Sequence, residues 1–205
     1  MKKGILLLVL FCAAILSGNA QDIKKVFGSA SIVWYGLDFT KAKMLGFGDE
    51  SPHQIRDDYF KVWSAATITD VDVAKTFQKT ALYKDLAFLN KQNAERETND
   101  LNNGKEEEFD APAIAARISE IPIGQKKDGL GLAMIVQSFN KASEAGATVY
   151  VVFFDIATHN VLLTKKMNAK PTGGNTKAGW TGAIKSIFEK IEKKEFAAWR
   201  KEANY

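Results

Sequence analysis

Two aspartates each close a strongly apolar run: Asp38 near the end of ASIVWYGLDF, and Asp155 at the end of ATVYVVFFD. If the two runs are neighbouring strands, these carboxylates meet at one end of a sheet. There they could work as an acid and base pair, as in a hydrolase, or hold a cation. The plainer use of Asp at such a position is to cap the strand and begin a turn. A second feature is the Gly-rich stretch Lys170-Pro-Thr-Gly-Gly-Asn-Thr-Lys177-Ala-Gly-Trp180. Backbone N–H groups of Gly174 and Asn175 at a helix start could bind an anion, with Lys177 adding charge. It is not a phosphate-binding P-loop, because Gly174 and Gly179 have the right spacing but Trp180 stands where the lysine must be. The same residues also read as a tight strand-to-helix turn with Trp180 packed on the sheet.

Other candidates carry less. Gly129-Leu-Gly131 begins like a nucleotide fingerprint but lacks the third glycine and runs into an apolar strand pattern. The only histidines, His53 and His159, have no HxH, HExxH or carboxylate cluster beside them, and no GxSxG elbow supports a serine nucleophile. No metal site and no cofactor are implied. Asp70, Asp72 and the run Glu106 to Glu108 read as solvated charge.

These residues sit in a chain that opens Met1-Lys2-Lys3 and continues from Ile5 to Leu16 without a polar side chain other than the thiol of Cys12. A charged start, an apolar middle and small residues at Gly18 and Ala20 describe a secretory signal, with cleavage expected between Ala20 and Gln21. The run is too short for an ordinary spanning helix, which needs roughly 20 apolar residues. Acylation of Cys12 is the competing reading, but that cysteine lies inside the apolar core beside bulky Phe11. The expected organisation is therefore a signal peptide over 1–20 and one globular domain over 21–205, periplasmic or secreted. Cys12 is the single cysteine, so the mature domain is cysteine-free and must be held by its core. Loss of Lys2 and Lys3 leaves 26 basic against 24 acidic residues, about +2, with signs interspersed. That balance excludes a nucleic-acid binder of the usual basic kind.

Period and punctuation give the elements. Ala30 to Phe39 is apolar at both parities, as in a strand buried on both faces. Ser51 as N-cap and Pro52 at the first position open a helix over Pro52 to Ala65, with Ile55, Tyr59, Val62 and Trp63 as its stripe. Thr67 to Thr80 fits a short strand or an irregular helix, and Ala81 to Leu89 reads as a strand, although its leucines would also serve a helix. Asn90 to Phe109 reads as an exposed polar loop. Asp110 caps a short helix over Ala111 to Ser119. Leu130 to Phe139, Ala147 to Asp155 and Val161 to Met167 form a β-meander with the middle run at its centre. A last helix from about Trp180 to Ala203 buries Ile184, Ile187, Phe188 and Ile191, but Phe196 and Trp199 fall off phase, which points to an end that bends or docks separately. The fold class is α/β (α+β): a mixed sheet ending in a three-stranded antiparallel meander, helices packed against it, and a long C-terminal helix.

The stretches SIVWYGLDFTKAKMLG and GLGLAMIVQSFNKASEAGATVYVVFFDIATHNVLLTKK, and the GG...GW turn, resemble a group of small secreted or periplasmic Gram-negative proteins of unknown function. The meander closing on FFDIATHNVLLTKK is also similar to the strand-turn-strand pattern of envelope domains in the curli-secretion lipoprotein and the TolB N-terminal region. There the turn runs from Asp to Gly; here His159-Asn160 replaces that Gly, and the lipid-anchoring cysteine is absent. The resemblance implies an envelope fold and assigns no functional residue. The expected function is non-enzymatic binding of an envelope partner or a small ligand; the alternative is a hydrolase using Asp38 and Asp155.

Overall fold

The computed structural model describes residues 23–48, 50–103 and 105–205; the leader expected at 1–20 and its cleavage site lie outside them. Six strands form one mixed sheet: β1 (Ser31–Asp38), β2 (Lys43–Leu45), β3 (Ala81–Lys84), β4 (Leu130–Asn140), β5 (Ala147–Asp155) and β6 (Val161–Ala169). Their order is β3-β1-β4-β5-β6, and β2 follows β1 along the same edge of β4. Strands β1, β2 and β3 run parallel to their partners, while β4, β5 and β6 make the expected antiparallel meander.

Parallel neighbours need crossovers, and helices supply them on both faces. Residues 23–28 form helix α1. Between β1 and β3 come α2 (Pro52–Gln54), a π-helical turn (Ile55–Tyr59), α3 (Phe60–Thr69) and α4 (Val73–Thr76). Between β3 and β4 come α5 (Ala87–Glu95) and α6 (Ala111–Ser119), and the chain ends with α7 (Thr176–Lys190), a second π-helical turn (Ile191–Glu195) and α8 (Phe196–Glu202). One core lies between the sheet and the first and last helices, where Ile32, Trp34, Met134 and Phe153 meet Trp63, Phe77 and Phe188. A second, smaller core on the other face joins Val33, Tyr35, Ile135 and Phe154 to Leu89, Ile114 and Ile118. Apolar residues at both parities of β1, β4 and β5 are the consequence of burial on both faces.

A bulge in β1 decides which face its last residue joins. Trp34 pairs with Leu132 but Gly36 pairs with Ala133, so one residue of β1 is unmatched. Gly36 has φ +109°, a conformation that side chains rarely adopt. Before the bulge, even-numbered residues face the large core; after it, Leu37 and Phe39 do. Asp38 is thereby turned to the face of α5 and α6.

Four expectations need correction. Ala81 to Leu89 is strand only to Lys84, and Leu86 is the N-cap of α5, whose Leu89 enters the smaller core. The polar stretch Asn90 to Phe109 is therefore no plain exposed loop: it begins inside α5 and buries Asn93, Arg96, Thr98 and Leu101. Ser51 precedes the helix start as expected, but its side chain makes no cap bond. The last helix starts at Thr176, because Asn175 accepts a hydrogen bond from Ala178 N at 2.9 Å and caps it earlier than Trp180. The ambiguous Thr67 to Thr80 resolves as the end of α3 and the short α4, capped by Asp72. β2 was not foreseen.

The off-phase Phe196 and Trp199 have a physical reason. In the second π-turn Phe196 N bonds to Ile191 O, five residues back instead of four. The added residue returns Phe196 and Trp199 to the buried face, where both are buried in the large core.

Candidate functional site at the end of β1

Asp38 ends β1 with only 2% of its surface exposed. Its Oδ1 accepts from Thr40 N at 2.9 Å and Thr40 Oγ1 at 2.6 Å, and its Oδ2 accepts from Nε of Arg117. Arg117 comes from α6, a helix started by Asp110, which accepts from Ala113 N at 2.8 Å. It stands one turn after Ile114 and next to Ile118, on the buried stripe, and its side chain is 11% exposed. Its Nη1 reaches Glu120, whose side chain is 59% exposed. Its Nη2 is buried with no hydrogen-bond partner among the described residues, and the guanidinium lies 5.8 Å from the Phe88 ring centre. Burial works against the charge of Arg117, but Asp38 and then Glu120 more than offset it and raise its pKa above the ordinary arginine value.

The turn after Asp38 is held from α5 and the chain beyond it. Asn93 replaces a strand partner at the end of β1: its Nδ2 donates to Leu37 O and its Oδ1 accepts from Phe39 N, both at 2.7 Å. Arg96 donates through Nε to Thr40 O and through Nη2 to Ala42 O, both at 2.8 Å. Burial lowers the Arg96 pKa against the pull of Asp100 and Asp38. Backbone carbonyls are thus satisfied by side chains where β1 stops and β2 has not begun.

Two adjoining cavities open here, at the C-terminal end of a parallel strand, where ligands of open α/β sheets commonly sit. One, about 370 Å³, has an apolar floor of Phe109, Ile114 and Ile135 and a charged rim that includes Glu107, Arg117 and Glu120. The other, about 640 Å³, is more polar and is lined by Gln92, Arg96, Glu97 and Asp100. They share Thr40, Lys41, Arg117 and Glu120, so together they form one cleft. Such a cleft can hold an apolar body while its rim offers both signs of charge.

The structure does not bring Asp38 and Asp155 together. Asp38 pairs with Ile135 from one side of β4, and Asp155 pairs with Leu130 from the other. Five residues of strand separate the two positions, about 17 Å along β4 at ~3.3 Å per residue. Asp155 is occupied by Lys25 and by Thr158, whose N and Oγ1 lie 2.9 and 3.0 Å from Oδ1, so it starts the hairpin turn. Burial pushes its pKa up, but Lys25 and Thr158 outweigh that and hold it below the usual value.

At the Gly-rich turn, Asn175 caps α7, Lys177 Nζ pairs with Asp58 at 2.9 Å, and Gly174 has open space around it. The Lys177 carbonyl accepts from Trp63 Nε1 at 2.9 Å. Trp180 is buried in a stack with Phe139 at 4.7 Å and Phe47 at 5.7 Å. Those contacts are the ones a strand-to-helix turn needs. Gly131 serves packing: a Cβ there would lie 2.5 Å from Phe154 Cζ. His159 occupies the β5–β6 turn at φ +59°, and His53 is exposed near Arg56 and Thr98. Among the described residues, no three His, Cys, Asp or Glu side chains converge as a metal site, and no helix is long and apolar enough to cross a membrane.

Sequence reasoning reached Asp38 but missed Arg117, Asn93 and Arg96. A signal for Arg117 exists in APAIAARIS, where helical spacing places a lone arginine on the same face as two isoleucines.

Comparison with protein-family models and with curated proteins gives no match. Among solved structures, lipoprotein GNA1162 from Neisseria meningitidis aligns over 81% of this chain and 99% of its own, with 12% identity and a TM-score of 0.35. The likeness is loose.

Proposed function

We propose that this chain is an exported protein of the cell envelope, periplasmic or secreted, that binds a small ligand in the cleft at the end of β1 without transforming it. The mature protein begins near Gln21 and folds as one unit. The observation that carries this reading is the occupation of Asp38. Thr40 donates twice to one of its oxygens and Arg117 once to the other, so this buried carboxylate is engaged in closing its own turn and in positioning a guanidinium. The cleft beside it combines an apolar floor with polar groups on rigid elements, the usual construction of a binding site.

A small-molecule library screened by thermal shift tests the reading. Ala116 is exposed and lines the cleft, so Ala116→Trp fills it without disturbing the core. Compounds that raise the melting temperature of the wild type should lose their effect on Ala116→Trp. Stabilisation that persists in the variant would place binding elsewhere and contradict the proposal.

A further inference from the structure

We propose that the ligand of this cleft is a short zwitterionic peptide bearing an apolar side chain, an inference that rests on the ligand-binding reading above. The guanidinium of Arg117 is the anchor. Asp38 fixes it through Nε, which leaves the edge formed by Nη1 and Nη2. Among the described residues Nη2 has no partner, and Nη1 is bound only by Glu120, a side chain largely in water. A buried guanidinium nitrogen without an acceptor is costly, whereas an exposed ion pair is released cheaply. A ligand carboxylate can therefore take both nitrogens in the bidentate geometry that arginine favours. Lys41, on the shared rim, adds a second positive charge with no ion-pair partner among the described residues.

The rest of the rim excludes a purely anionic ligand. Glu107 is exposed and makes no ion pair among the described residues, and Glu120 becomes free once displaced from Arg117. Two carboxylates beside the anion would repel it unless the ligand also carries a cation to meet them. A purely cationic ligand faces the converse problem at Arg117 and Lys41. A molecule with one carboxylate, one ammonium and an apolar body satisfies all three surfaces, the last against Phe109, Ile114 and Ile135. A cavity of about 370 Å³ lies at the small end of the range for ligand sites, suited to a dipeptide, with the adjoining polar cavity open to a longer chain.

Isothermal titration of residues Gln21 to Tyr205 with L-leucyl-L-leucine, its N-acetyl derivative and its C-terminal amide tests this. The free dipeptide should bind, each blocked form should bind at least about tenfold more weakly, and Glu107→Gln should weaken the free dipeptide while relieving the repulsion of the N-acetyl form and tightening it. Equal binding of the N-acetyl form would make the site an anion site, and equal binding of the amide a cation site. Either overturns the peptide assignment and leaves the cleft reading standing. If none of the three binds, the assignment also fails; library hits sensitive to Ala116→Trp would still support the cleft, and their absence would remove both.

Discussion

The guanidinium of Arg117 in α6 is bound through Nε to the carboxylate of Asp38 at the end of β1, an ion pair between residues 79 positions apart. It joins the second crossover of the fold to the strand beneath it, and both partners are largely removed from water. A buried pair of this kind need not add net stability, because both charges have lost hydration. Removing one partner is another matter. Arg117→Met should cost about 3–5 kcal/mol, whereas Asp38→Asn with Arg117→Met should recover most of that loss. Urea unfolding of the two singles and the double checks it, and additive effects would show that the pair is not coupled.

Gly36 sets the direction of Asp38. Its φ of +109° is nearly closed to other residues, while a Cβ there would meet only Leu86 Cδ2 at an ordinary 3.4 Å. Gly36→Ala should therefore cost about 1–3 kcal/mol through the backbone and not through a clash. Leu86→Ala in the same chain should not rescue it, a comparison that equilibrium unfolding decides.

The second π-turn makes a length prediction. A π-turn is one residue more than an α-helix needs, so deleting exposed Lys194 should convert Ile191–Glu195 to regular helix and leave Phe196 and Trp199 facing the core. The cost should be within about 1 kcal/mol, apart from one exposed ion pair with Glu195. Deleting Lys185, inside the regular part of α7, should rotate Ile187, Phe188 and Ile191 out of the core and abolish cooperative unfolding. Calorimetry of the two deletions separates the cases.

Stability should rise and then fall on the alkaline side. Burial, then the Arg200 charge, brings Lys79 down to about 8, although its Nζ donates to Val26 O at 2.6 Å and Ser29 O at 3.0 Å. Above pH 8 the folded chain has released a proton that the unfolded chain keeps until about 10.5, so stability increases with pH across that window. The full effect is at most about 3 kcal/mol. Burial, then Asp85, pushes Tyr35 up to about 12 from 10.0, so between those values the unfolded chain has lost a proton that the folded chain retains, and stability decreases. Denaturation between pH 7 and 12 should show a maximum near pH 10. Lys79→Met should remove the rise and Tyr35→Phe the later fall.

The sheet was legible because strands buried on both faces leave unbroken apolar runs, as in β1 and β5, and because Asn140 to Gly146 and Ala157 to Asn160 punctuate the meander. Asp110 was legible as a cap from local chemistry alone. What could not be read was nonlocal. Asn93 and Arg96 look like surface residues in a polar stretch, and only the broken end of β1, with its unpaired backbone groups, gives them a reason to be buried. In the last helix the off-phase Phe196 and Trp199 mark a break in the sequence, but its nature as a π-turn has no residue signature of its own. Asp38 and Asp155 shared a sequence context but not a location, since β4 separates their strands and the meander reverses one of them.

A small ligand that enters the cleft between the end of β1 and α6 must perturb the backbone on both of its walls. The amide chemical-shift map of ¹⁵N-labelled Gln21 to Tyr205 titrated with L-leucyl-L-leucine reads both walls at once. Saturable shifts are expected in Asp38 to Lys41 and in Ala113 to Glu120, with Gly174 to Lys177 unmoved. Shifts confined to the Gly174 to Lys177 turn, or none at millimolar ligand, would contradict binding in this cleft.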